Sequence, residues 1–153
     1  MLKRIKAALA GTPPTQAPSG NDHKLAAAAL LVEAATLDES FGPEERDTIA
    51  RVLKDHFDID DGECADLIAA AEVAQGEANH LHRFTKAIKD QYAPEDRIEL
   101  IEMLWEVAYA DGVLHEYEAN LLRRIGGLIY VSDRDRGAAR LRVMERLGFS
   151  DNV

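Results

Sequence analysis

The stretch "AYADGVLHEYEANLL", residues 108–122, holds an Asp-Gly pair, Asp111-Gly112, that interrupts an apolar helical face which resumes a few residues later. An earlier stretch, "AATLDESFGPEERDTI", residues 34–49, repeats the layout, with Asp38 seven residues before Glu45 as Asp111 is seven before Glu118. Each reads as the end of one helix, a short turn and the acidic first turn of the next.

Outward from these turns, apolar residues recur at helical spacing and no alternating run persists long enough for a strand, so the chain reads as all-α. Punctuation sets seven helices. Asn21 or Asp22 caps a first that runs to about Asp38, Pro43 opens a second to about Phe57, and Asp60 or Asp61 caps a third. A fourth covers residues 77–92, and Pro94 starts a fifth that reaches about Ala110. A sixth covers residues 116–130, and Ser132 or Asp133 caps a seventh that ends near Gly148.

A shift of 73 positions aligns Leu31 with Leu104, Glu33 with Glu106, Asp38 with Asp111, Glu45 with Glu118 and Ile49 with Leu122. The economical architecture is a compact seven-helix bundle of two three-helix pseudo-repeats joined by the central fourth helix, each unit burying its apolar face on the other.

The chain has 153 residues, enough for one domain with its own core. Residues 11–20, "GTPPTQAPSG", hold three of the five prolines and no charge, and follow a basic segment with Lys3, Arg4 and Lys6. Residues 1–20 therefore read as a mobile basic arm and Pro-rich linker, and residues 21–150 as the helical domain. With 18 Lys and Arg against 28 Asp and Glu, a net charge of −10 disfavours nucleic acid and favours a cation or a protein partner. The single cysteine, Cys64, fits a reducing cytoplasm. The longest apolar run, residues 25–32, is far short of the roughly 20 residues a spanning helix needs, which leaves at most peripheral membrane contact through the arm.

The two turns carry the candidate chemistry. In the fifth helix the apolar stripe through Ile98, Ile101, Leu104 and Ala108 arrives at Asp111, and in the first the stripe through Leu31 and Ala35 arrives at Asp38. Glu45 and Glu118 begin the core-facing stripes of the helices that follow. First-turn carboxylates are common because the helix dipole favours them, but the same dipole opposes Asp38 and Asp111 at helix C-terminal ends. Carboxylates turned inward need compensation from turn amides, a basic side chain or a hard divalent cation. Between each Asp and Glu the only basic candidate is His115. Two readings stay open: a metal site formed by Asp38, Glu45, Asp111 and Glu118, which as an all-oxygen set would take calcium or magnesium rather than zinc, and turn-capping carboxylates with no metal. The spacing is not that of an EF-hand.

With its two copies of this motif, the chain resembles the TerB-like tellurite resistance family over about residues 25–147. The resemblance implies a compact seven-helix fold, a divalent-cation site carried onto Asp38, Glu45, Asp111 and Glu118, and a stress-response role as a cytoplasmic binding module with protein partners. The first copy departs from the pattern by having Glu39 where the second has Gly112.

Elsewhere the readings are structural. His80 and His82, two apart on a helix, fall on different faces and read as surface residues. Trp105 reads as a core anchor. Arg134, Arg136, Arg140, Arg142 and Arg146 read as a solvated helix face or a docking face for an acidic partner. No nucleophile motif, phosphate loop or HExxH is present, so the expectation is a non-enzymatic cation-binding module. A metal-independent adaptor is the first competitor and a carboxylate hydrolase the second.

Overall fold

The computed structural model describes residues 20–36, 42–77, 79–110 and 116–148. Among the described residues there are seven helices and no strand: α1 Gly20–Ala35, α2 Pro43–His56, α3 Asp61–Ala74, α4 His80–Gln91, α5 Pro94–Ala108, α6 Glu116–Leu128 and α7 Asp133–Leu147. The all-α reading and the number of helices match the sequence expectation.

Local chemistry fixes most boundaries. Asp60 accepts a hydrogen bond from the Glu63 amide at 2.8 Å at the start of α3, and Ser132 accepts one from the Asp135 amide at 3.1 Å at the start of α7. Each satisfies one of the amides that a helix N-terminus leaves unpaired. Pro43 and Pro94 occupy the first turns of α2 and α5, where a missing N–H costs nothing. Gly148 ends α7 with φ +81°, a conformation open to glycine.

Three boundaries differ from expectation. The first helix already begins at Gly20, so Asn21 and Asp22 fall inside its first turn. The fourth starts at His80 instead of residue 77, because Asn79 takes the left-handed conformation (φ 61°) and interrupts the helix there. The sixth ends at Leu128, two residues early, with Tyr130 at φ 63° turning the chain toward α7.

The core is organised around α1 and α5, which pack on each other. α1 packs chiefly on α3 and α4, and α5 chiefly on α7, with α2 also against α5. The sequence suggested one inward stripe on α1, yet every residue from Ala26 to Val32 is buried, with exposures of 0–1%. Four successive alanines let neighbouring backbones close in on all sides, so the helix is enclosed rather than amphipathic. At its N-terminal end, Lys24 reaches out of this burial to Glu63 on α3 at 2.8 Å. α5 is enclosed almost as fully, with Leu100, Ile101, Met103, Leu104, Val107 and Ala108 all buried. Trp105 is buried as expected and stacks on Tyr109, ring centroids 5.8 Å apart. Arg97 ties the start of α5 to neighbouring helix ends, donating to the carbonyls of Tyr92 and Ile129 at 3.0 and 3.3 Å. No described helix is long and apolar enough to cross a membrane.

Candidate functional site

One face of α5 carries Glu99, Glu102 and Glu106, three and four residues apart and therefore in line along the helix. Opposite them stand His56, the last residue of α2, and Arg142 and Arg146, one turn apart on α7. His56 Nδ1 lies 2.7 Å from Glu99 Oε2 and its Nε2 lies 3.1 Å from Glu106 Oε1. A carboxylate can only accept, so both ring nitrogens must donate, and the ring is an imidazolium. Arg146 donates to Glu102 at 2.7 Å and also to Glu106, and Arg142 donates to Glu102 at 3.0 Å.

This chain of charges is sheltered: the side chains of His56, Glu99 and Glu106 are 15%, 14% and 10% exposed. Burial by itself would push the His56 pKa down, but the hydrogen bonds and charges of Glu106 and Glu99 outweigh it and raise it from 6.5 to about 9. For Glu106, burial pulls the other way, yet His56 and Arg146 hold its pKa below the usual carboxylate value. Glu99 is lowered likewise by His56 against the effect of burial. Beside the network opens a cleft of about 500 Å³ lined by His56, Glu95, Ile98, Glu99, Glu102 and Arg142. As a protonated ring with both N–H groups engaged, His56 cannot act as a base at neutral pH. What the arrangement does chemically is clasp α2 and α7 onto α5.

A second, smaller cluster closes the end of α1. Glu33 Oε1 lies 2.7 Å from His80 Nε2 and accepts from Gln75 Nε2 at 2.9 Å, while Gln75 also donates to Thr36 Oγ1 at 3.2 Å. His80 is therefore half-buried and engaged instead of lying free on the surface, whereas His82 is exposed. The arginines of α7 also depart from the solvated-face reading. Arg142 and Arg146 bind α5, and Arg140 donates to Tyr109 Oη at 2.7 Å and lies over the Trp105 ring. Much of their acidic partner is the chain's own α5.

Against known proteins, residues 24–141 match the family model for tellurite resistance protein TerB. The chain belongs to the TerB family. No curated protein and no solved structure matches it.

Of the four carboxylates singled out in this TerB-family chain, Asp38 and Asp111 lie outside the described residues. Glu45 and Glu118 are described and partly buried near the starts of α2 and α6, two helices that both pack on α5. Glu45 Oε1 accepts the Gly42 amide at 2.7 Å. Among the described residues no three His, Cys, Asp or Glu side chains converge as a ligand set. The His56 network was not anticipated from the sequence. Its signals were present in the 99, 102, 106 spacing of glutamates and the 142, 146 spacing of arginines, but nothing local placed His56 between them.

Proposed function

We propose that this TerB-family chain is a non-enzymatic, stress-response module of the cytoplasm that takes up a divalent cation at its two Asp-Glu turns and engages a protein partner. The ligands are Asp38 and Glu45 at one turn and Asp111 and Glu118 at the other, and an all-oxygen set favours calcium or magnesium. The observation that supports this reading is the contrast at the first turn. Glu44 is exposed, whereas Glu45 beside it is drawn partly inward, as is Glu118 in the second copy. A carboxylate drawn partly inward gains more from a cation bound beside it than one in open water does. The pseudo-repeat belongs to the same proposal, with α1–α3 and α5–α7 as the two units.

A second reading is favoured by the bond from the Gly42 amide to Glu45 Oε1, which makes Glu45 a turn cap and the protein a metal-independent adaptor. Calorimetric titration of metal-free protein with calcium, magnesium and manganese separates the two. Heat of binding that disappears in Asp111→Asn, together with a rise in melting temperature on adding the ion, supports the cation reading. A flat titration with all three ions leaves the adaptor.

A further inference from the structure

The C-terminal ends of α4 and α6 lie together, joined by Arg97, which donates to the carbonyls of Tyr92 and Ile129. The surface beside this junction carries cations that no carboxylate holds. On α4, Lys86 is paired with Asp90 at 2.6 Å, but the Lys89 ammonium instead stands 5.2 Å from the centre of the Tyr130 ring. On α6, Arg123 and Arg124 are exposed; Arg123 reaches Asn120 at 3.4 Å, and no acidic side chain among the described residues holds Arg124. The acids at the margin are already engaged, Asp90 by Lys86 and Asp133 by Arg136. In a chain of net charge −10 this face is a local excess of positive charge.

The same face has an apolar part. Leu128, one turn beyond Arg124, is 38% exposed, and Tyr130 is 71% exposed. Tyr130 also holds φ 63°, where a bulky side chain is an outlier. Asn79 shares that conformation but is of the kind that tolerates it. A glycine or asparagine would end α6 with less strain, so what the tyrosine adds is a ring held in solvent next to Lys89.

We propose that this face docks a short acidic segment of a partner protein, its carboxylates on Lys89, Arg123 and Arg124 and an apolar side chain against Leu128 and Tyr130. A flat anionic membrane or a long nucleic acid would set the acidic remainder of the molecule against like charge, whereas a short segment meets the cations alone. Tyrosine and arginine are also the side chains that protein interfaces favour. The inference rests on the reading of the protein as a partner-engaging module, names the partner's chemistry, and does not depend on the cation.

The test titrates the isotope-labelled full chain with a short synthetic peptide rich in aspartate and glutamate around a leucine–tryptophan pair, and with its asparagine and glutamine counterpart. Docking predicts amide NMR shifts confined to residues 86–89 and 123–130, produced by the acidic peptide alone. Lys89→Glu/Arg124→Glu should weaken the Kd about tenfold or more. Tyr130→Gly suits the backbone better, so it should weaken binding without lowering the melting temperature. An absence of shifts overturns the proposal. So do shifts centred on the α7 arginines, which leave partner engagement standing at a different face. Binding to phosphatidylserine vesicles without binding to the peptide assigns the face to lipid, and self-association abolished by the double variant assigns it to a second copy; either result also overturns the proposal.

Discussion

Glu33 on α1 and Glu106 on α5 stand 73 residues apart in matching sequence contexts, and each is engaged by a histidine. The rest of their surroundings differ. Glu106 meets an imidazolium and the Arg146 guanidinium in a sheltered groove, so the group holding it is ionic. Glu33 shares its oxygen between His80 and the neutral amide of Gln75 near the helix end, where both Glu33 and His80 are more than a fifth exposed. The same residue type therefore serves as a charge clasp in one place and as a hydrogen-bond hub in the other. Solvent access and the second partner make the difference, and neither is set by the helix that carries the glutamate.

The comparison breaks most readily at Glu106. Glu106→Ala leaves a sheltered imidazolium with one carboxylate fewer, and is expected to cost about 3 kcal/mol in urea unfolding, the low end for removing one member of a buried pair because Arg146 can turn to water. The equivalent Glu33→Ala is expected to cost about 1–2 kcal/mol, the range for hydrogen bonds lost at a partly wet site. Equal losses would erase the distinction.

The second expectation is a pH dependence on the Glu106 side. His56 is raised from 6.5 to about 9 in the folded chain, so its contribution is fully present below pH 6.5 and is lost as pH rises through about 9. Stability should fall by about 3 kcal/mol across that window. His56→Gln should flatten the profile there, and Glu106→Gln should lower the His56 midpoint in an NMR titration. Glu106 and Glu99 act in the opposite direction. Their folded pKa values are lowered, so what they contribute is present above the ordinary carboxylate range and is lost as pH falls through the lower folded values.

Glu33→Gln sharpens the contrast. A glutamine oxygen can still accept from His80 and Gln75, so this variant should lose less than about 1 kcal/mol, whereas Glu106→Gln should lose more because its donors are charged. The smallest effect is expected at Arg142→Ala, where the arginine is 48% exposed and Glu102 keeps Arg146: below about 1 kcal/mol in the same unfolding assay.

The fold was legible in the sequence where local chemistry decides it. Asp60, Ser132, Pro43, Pro94 and Gly148 each act through atoms within a few residues of their own backbone, and each marks its boundary as read. Asn79 and Tyr130 were missed, because a left-handed non-glycine residue is not signalled by composition. The inward character of Glu45 and Glu118 followed from stripe position, and both are partly buried. Asp38 and Asp111, the other half of the candidate site, fall outside the described residues. The His56 clasp was not legible, since it joins residues 43 and 50 positions apart in sequence. Charge patterning on one helix cannot show which helix will lie opposite. The same limit explains the α7 arginines: a mixed-charge face looks solvated until its neighbour is known.

The enclosure of α1 has a consequence on the time axis. A helix with one wet face can shed protection turn by turn, each amide reporting a small local opening. From Ala26 to Val32 no residue offers solvent such a foothold, and neighbouring helices bear on the segment from several sides. Deuterium should therefore enter these seven amides together, and only when the whole domain opens. The alanine run is in effect the molecule's slow clock, and its exchange rate reads global stability directly.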